Sequence, residues 1–188
     1  FSGMELIHVH PKTESQKDVF DAFKEGYHLF LHGVAGSGKS FISLFLSLDE
    51  IMRSQRYDQI IIVRSAVSTR DIGFLPGTLK EKLMAYEAPY IEMTKELFQR
   101  GDAYEILKQK DKVVFLSSSF LRGITFRNAI VIADEIQNFN FGECDTLMSR
   151  IGENCRLIMC GDINQTDLTK STKDVSGLPK FYNIIKNM

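Results

Sequence analysis

One stretch limits the folds open to this chain more than any other: His32-Gly33-Val34-Ala35-Gly36-Ser37-Gly38-Lys39-Ser40. It follows a short apolar run, Tyr27-His28-Leu29-Phe30-Leu31, and it opens a second apolar run with helical spacing over residues 41–52. From Gly33 the pattern is G-x-x-x-x-G-K-S, a P-loop in the strand–loop–helix context that the motif requires. Its glycines permit a tight turn in which successive amide hydrogens converge on a phosphate chain, and the following helix adds its positive N-terminal end. Lys39 is placed to reach the β- and γ-phosphates, and the Ser40 hydroxyl to bind the magnesium ion that accompanies them. A chance match in a chain this long is expected at below roughly 1%. The stretch therefore reads as a nucleoside-triphosphate site. Its binding set is Gly33, Val34, Ala35, Gly36, Ser37, Gly38, Lys39, Ser40 and Phe41.

Four further apolar runs lie downstream, over residues 59–63, 112–116, 129–133 and 156–160. All are continuous rather than alternating, as expected for strands covered on both faces of a parallel sheet. Helical stretches separate them, so the chain reads as a doubly wound α/β sheet flanked by helices. A length of 188 residues suits a single domain over 1–188, with Phe1-Ser2-Gly3 ahead of Met4 read as an expression scar. Residues 64–111 are too long for a plain connector and predict a helical insertion, with Thr78-Leu79-Lys80-Glu81 as a capping box opening one of its helices. The basic and hydroxyl residues of that insertion make it the expected polynucleotide-contacting segment.

Two readings concern the N-terminal part. Residues 5–10, Glu5-Leu6-Ile7-His8-Val9-His10, predict a short edge strand; His8 and His10 lack a third ligand nearby and read better as surface histidines than as a metal pair. A helix is expected from the Pro11–Gln16 region to about Lys24. In it, Gln16 has two explanations: structural partner of Thr13 in a capping box, or an amide that reads the amino group and N7 of adenine.

With 23 basic and 24 acidic residues the net charge is -1, so any nucleic-acid surface must be local. Three cysteines, Cys144, Cys155 and Cys160, form no C-x-x-C pair, which argues against a disulfide framework or zinc site and for a reducing, cytoplasmic setting. No apolar run is long enough for a membrane span.

The run Ile130-Val131-Ile132-Ala133-Asp134-Glu135 is an apolar strand ending in two acids, which beside a P-loop reads as a Walker B element. Asp134 is expected to hold magnesium and Glu135 to polarise the attacking water as general base. The next strand ends Cys160-Gly161-Asp162-Ile163-Asn164-Gln165, at the sheet edge where ligands bind, so Gln165 is the expected γ-phosphate sensor.

These motifs in this order resemble those of superfamily-one helicases and, more narrowly, the PhoH-like ATPases. The resemblance rests further on Val63-Arg64-Ser65-Ala66-Val67, Gly73-Phe74-Leu75-Pro76-Gly77 and Phe120-Leu121-Arg122-Gly123. Gln137-Asn138 and Ser176-Gly177-Leu178 complete it. It implies a RecA-like core that binds and hydrolyses ATP with Mg2+, linked to RNA or single-stranded nucleic acid, often as a homo-oligomeric ring and often phage-encoded. It also favours Gln16 as an adenine contact. The family usually has Pro at Ser65, an acid at Thr78 and Ala at Ile136, none a phosphate or metal position. Relatives usually continue past Ser-Gly-Leu with another strand and an arginine-bearing segment, so a chain ending at Met188 is expected to be either shortened or a reduced member.

Hydrolysis needs a cation on the transferring phosphoryl group. Arg64, Arg122, Arg127 and Arg150 are available, and Arg122, after the Ser117-Ser118-Ser119 run, is the favoured phosphate contact or intersubunit finger. The alternatives to an ATPase are a nucleotide-dependent switch with incidental hydrolysis, and a small-molecule kinase, for which the insertion has too few arginines.

Overall fold

A computed structural model describes residues 3–32, 38–66 and 78–162 and the strand backbone of 181–184. The elements in order are α1 (Glu14–Lys24), β1 (His28–His32), α2 (Lys39–Arg53), β2 (Gln59–Arg64), α3 (Leu79–Phe98), α4 (Ala103–Gln109), β3 (Val113–Ser117), β4 (Ala129–Ala133), α5 (Phe141–Arg150), β5 (Arg156–Gly161) and β6 (Phe181–Ile184). Short 3₁₀ turns follow β3 (Ser118–Phe120) and β4 (Ile136–Asn138).

The sheet runs β3-β2-β4-β5-β1-β6, and all of its pairings are parallel. The interiors of β1 to β5 are continuously apolar because alternate residues serve two cores. Leu29, Leu31, Ile60, Ile62, Ile130, Ile132, Ile158 and Cys160 face α1 to α4. Phe30, Ile61, Val63, Val131, Ala133, Leu157 and Met159 face α5 and the segment around Phe126. Each strand expected from a continuous apolar run forms within one residue of its predicted bounds. Between β1 and β4 in space lies β5, which comes later in the chain than either. The carboxyl ends of these three strands therefore converge, where open α/β sheets bind ligands.

Two expectations are corrected. Residues 5–10 are not an edge strand; they cross the end of α3, where the Ile7 N–H donates to the Leu97 carbonyl at 2.9 Å. That carbonyl belongs to the last turn of the helix and has no intrahelical partner. The segment's pattern of Leu6, Ile7 and Val9 packs against the core cluster instead. The second correction is β6: a strand does follow Ser176-Gly177-Leu178, pairing with β1 in the register His28 to Phe181.

The helix starts follow local chemistry. The Thr13 hydroxyl accepts from the Gln16 N–H at 3.1 Å, while Gln16 Oε1 reaches past the cap to the Lys12 N–H at 2.7 Å. Thr78 and Glu81 form the expected capping box of α3. A second box, Asn140 with Glu143, opens α5. Among the described residues no helix is long and apolar enough to cross a membrane.

Candidate active site

The first helical residues after the loop of 33–37 are described from Gly38 onward. Gly38 is the N-cap of α2 at φ 84, a left-handed conformation that glycine adopts without steric cost. It turns Lys39 and Ser40 back toward the sheet; Lys39 is buried along its stem and lines a cleft of about 330 Å³ with Ser40, Asp134, Glu135 and Gln137.

Asp134 arrives from β4. Along that strand Ile130 and Ile132 face the α2 side, and Asp134 continues the same parity. Ser40 Oγ donates to its Oδ1 at 2.9 Å, so residues far apart in sequence meet at one carboxylate. The same Oδ1 takes the N–H of Glu135 at 2.9 Å. The oxygen-only pair of Ser40 Oγ and a 3%-exposed carboxylate is the donor set of a hard divalent cation, so these residues fit magnesium.

Glu135 has φ 52 and ψ 49, a left-handed conformation that costs a non-glycine residue about 1–2 kcal/mol. Gln137 holds the bend from both sides: its Nε2 donates to Glu135 Oε2, and its Oε1 accepts from the Asp162 N–H at 3.2 Å. Gly161 makes this closeness possible. A Cβ there would lie 2.5 Å from Gln137 Oε1 and 2.9 Å from the Ile136 nitrogen.

The other oxygen of Asp134 is taken from the insertion. Tyr90 of α3 donates its hydroxyl to Oδ2 at 2.6 Å and accepts from Arg64 Nη1 at 3.3 Å. Register explains the arginine: Val63 pairs with Ala133, so Arg64 and Asp134 are side by side on the same face. The Arg64 guanidinium stands 5.3 Å from the ring centre of Tyr86, one helical turn before Tyr90. Burial, and then the charge of Asp134, push the Tyr90 phenol far above its ordinary range, so it stays a donor.

A second cleft, of about 550 Å³, shares Gly38 and Phe41 with the first and extends along Ile7, His8, His10 and Gln16. Gln16 uses Oε1 structurally at the helix start and still lines this cleft, so its two explanations are compatible. His8 and His10 stack with ring centres 6.2 Å apart.

The remaining expected residues are placed as follows. Arg122 is exposed on the turn after the first 3₁₀ segment and does not line the cleft; Arg127 is exposed and Arg150 half-buried. Gly33, Val34, Ala35, Gly36, Ser37 and Gln165 lie outside the described residues. Residue-level reading of the sequence missed Tyr90 and the structural use of Gln137. The signal available for Tyr90 was the i, i+4, i+8 run of Tyr86, Tyr90 and Thr94, hydroxyl-bearing residues on one face of a helix.

The family model described as "PhoH-like protein" matches residues 8–188. A PhoH-like protein of Synechocystis is 32% identical over 181 residues, covering 96% of this chain and 54% of the relative. Protein PhoH of Escherichia coli K12 is 33% identical over 161 residues, covering 85% and 45%. The chain thus spans about half the length of the curated relatives it matches. Among solved structures, the DUF1998 helicase MrfA bound to DNA aligns with a TM-score of 0.62 at 12% identity, covering 93% of this chain and 25% of that one. The Sulfolobus solfataricus SWI2/SNF2 ATPase core in complex with dsDNA gives 0.55 at 12% identity, covering 93% and 38%. The UvsW helicase from bacteriophage T4 gives 0.53 at 12% identity, covering 97% and 64%. At such identity these show the fold, a RecA-like P-loop core.

Proposed function

The chain belongs to the PhoH-like family, and from that premise we propose that it is an ATPase that couples hydrolysis to single-stranded RNA or DNA. One observation carries the reading: Lys39, Ser40, Asp134 and Glu135 line a single cleft, with Ser40 and Asp134 in direct hydrogen bond at 2.9 Å.

In this reading Lys39, with the amides of 33–38, binds the β- and γ-phosphates, and Ser40 and Asp134 hold the magnesium ion. Bound there, the ion neutralises charge on the phosphates. Glu135, held by Gln137, takes the proton of the attacking water. The cleft past Phe41 receives the base, with Gln16 offering its amide nitrogen. Gln165 senses the γ-phosphate, and Arg122, exposed and away from the cleft, acts across a subunit contact. Ser40 Oγ and the Asp134 carboxylate, hard oxygen donors already side by side, would hold that ion.

The test is Glu135→Gln. Binding of a fluorescent ATP analogue should stay within about twofold of wild type, while turnover, measured with and without single-stranded RNA or DNA, should fall by on the order of 10²–10⁴-fold. Turnover at the wild-type rate would overturn the assignment of Glu135. No change in wild-type turnover with either polynucleotide would overturn the coupling.

A further inference from the structure

We propose that Tyr90 is a positioning residue for the magnesium-holding carboxylate of Asp134, through which the insertion helix α3 sets how tightly the metal binds. The inference rests on the reading of Asp134 as a metal-holding residue and deepens it.

Asp134 can hold a cation only if one oxygen stays aimed at Ser40. Rotation about the carboxylate bond would exchange Oδ1 and Oδ2, and a single partner on Oδ1 would not prevent it. The structure supplies two fixed directions. Ser40 Oγ and the Glu135 N–H converge on Oδ1, and the Tyr90 hydroxyl meets Oδ2 at 2.6 Å. Tyr90 is 2% exposed, so water does not compete for that bond.

The phenol itself is held on two further sides. Its ring packs at 5.9 Å from that of Phe115 in β3. Its oxygen accepts from Arg64 Nη1. Arg64 in turn lies over Tyr86 of the same helix, and among the described residues its buried Nε has no hydrogen-bond partner, while its Nη1 donates to the Tyr90 oxygen. Directed bonds therefore converge on Asp134, from Arg64 through Tyr90 and from Ser40, joining β2, α3, the end of β4 and α2. Such bonds polarise one another in a low-dielectric interior. Partners that orient metal ligands in this way are typically worth 10–100-fold in metal affinity. Helix α3, capped by Thr78, thus meets the metal-holding carboxylate through one hydrogen bond.

The experiment is a Mg2+ titration of fluorescent ATP-analogue binding, starting from EDTA, in wild type, Tyr90→Phe and Glu87→Gln. Tyr90→Phe keeps the ring and deletes only the hydroxyl; it should raise the Mg2+ half-saturation about tenfold while leaving metal-free nucleotide affinity within about twofold. Glu87→Gln changes the same helix but a side chain bonded away from the site, to Tyr104 and Lys108, and should leave the half-saturation unchanged. Equal half-saturation in wild type and Tyr90→Phe overturns the inference, as does an equal shift in Glu87→Gln. A wild type whose nucleotide affinity ignores Mg2+ overturns the reading of Asp134 itself, a distinguishable result. Should Tyr90→Phe fail to fold, Arg64→Lys, which keeps the charge beside Asp134 but not the guanidinium that holds the phenol, takes its place: a raised half-saturation supports the inference, and no rise overturns it.

Discussion

Removing the carboxylate of Glu143 separates the frame of this site from its chemistry. Glu143 stands in the first turn of α5, and its Oε2 collects donors from two other elements. Ser65 Oγ reaches it at 2.9 Å, the Ala66 N–H at 3.1 Å, and Ser118 Oγ more closely still. Its Oε1 closes the capping box on the Asn140 N–H. The residue thus pins the exits of β2 and β3 to the start of α5. The exit of β2 is also where the segment 65–77 begins.

The magnitude follows from the partners. Ser65 is 1% and Ser118 8% exposed, so two buried hydroxyls lose a charged acceptor at about 1–2 kcal/mol each. Opening the capping box adds about 0.5–1 kcal/mol. The desolvation of the carboxylate is returned on its removal and offsets part of this. We expect Glu143→Ala to cost about 2–3 kcal/mol and Glu143→Gln, which keeps one acceptor oxygen, about 1 kcal/mol. With a urea m-value near 2 kcal/mol/M, the alanine variant should lower the midpoint by about 1–1.5 M at unchanged m. A double-mutant cycle with Ser118→Ala should give a coupling of about 1–2 kcal/mol. A cost below about 0.5 kcal/mol, or additivity with Ser118→Ala, would refute the reasoning.

Two further outcomes are expected. Burial, and then the Arg156 charge, lower the basicity of His28, whose Nδ1 accepts the Leu157 N–H at 2.9 Å and so must be unprotonated. Below the ordinary histidine range the unfolded chain takes up a proton that the folded chain resists. Stability should therefore fall as pH drops from 7.5 to 5.5, and the slope should flatten in His28→Asn, which keeps an acceptor; equal slopes in urea melts would count against this. Gly161→Ala forces a methyl against Gln137 and the Ile136 backbone, and it should cost about 2 kcal/mol, a melting-temperature drop of roughly 4–8 °C, with none taken as a refutation.

What the sequence made legible was whatever depends on neighbours along the chain. Continuous apolar runs located the strands because both sheet faces are covered, and Thr78 with Glu81 announced a helix start because a capping box spans three residues. Ser40 and Asp134 were paired in advance because each sits in a motif of fixed chemistry. The failures share one cause. Residues 5–10 carry apolar side chains at spacings that fit a helix end as well as a strand edge, and only the Ile7–Leu97 bond decides between them. Tyr90, Arg64 and the bridging Gln137 owe their roles to strand order and register.

Register is the missing quantity in the clearest case. Once Val63 is known to face Ala133, Arg64 must lie beside Asp134, and strand parity puts both on the side where α3 packs. A half-buried arginine and a buried aspartate there meet through Tyr90, which accepts from one and donates to the other. A direct ion pair would have offset the carboxylate with a charge of its own. A phenol fixes the carboxylate and leaves its negative charge in place, which under the proposed reading of Asp134 keeps that charge for the cation.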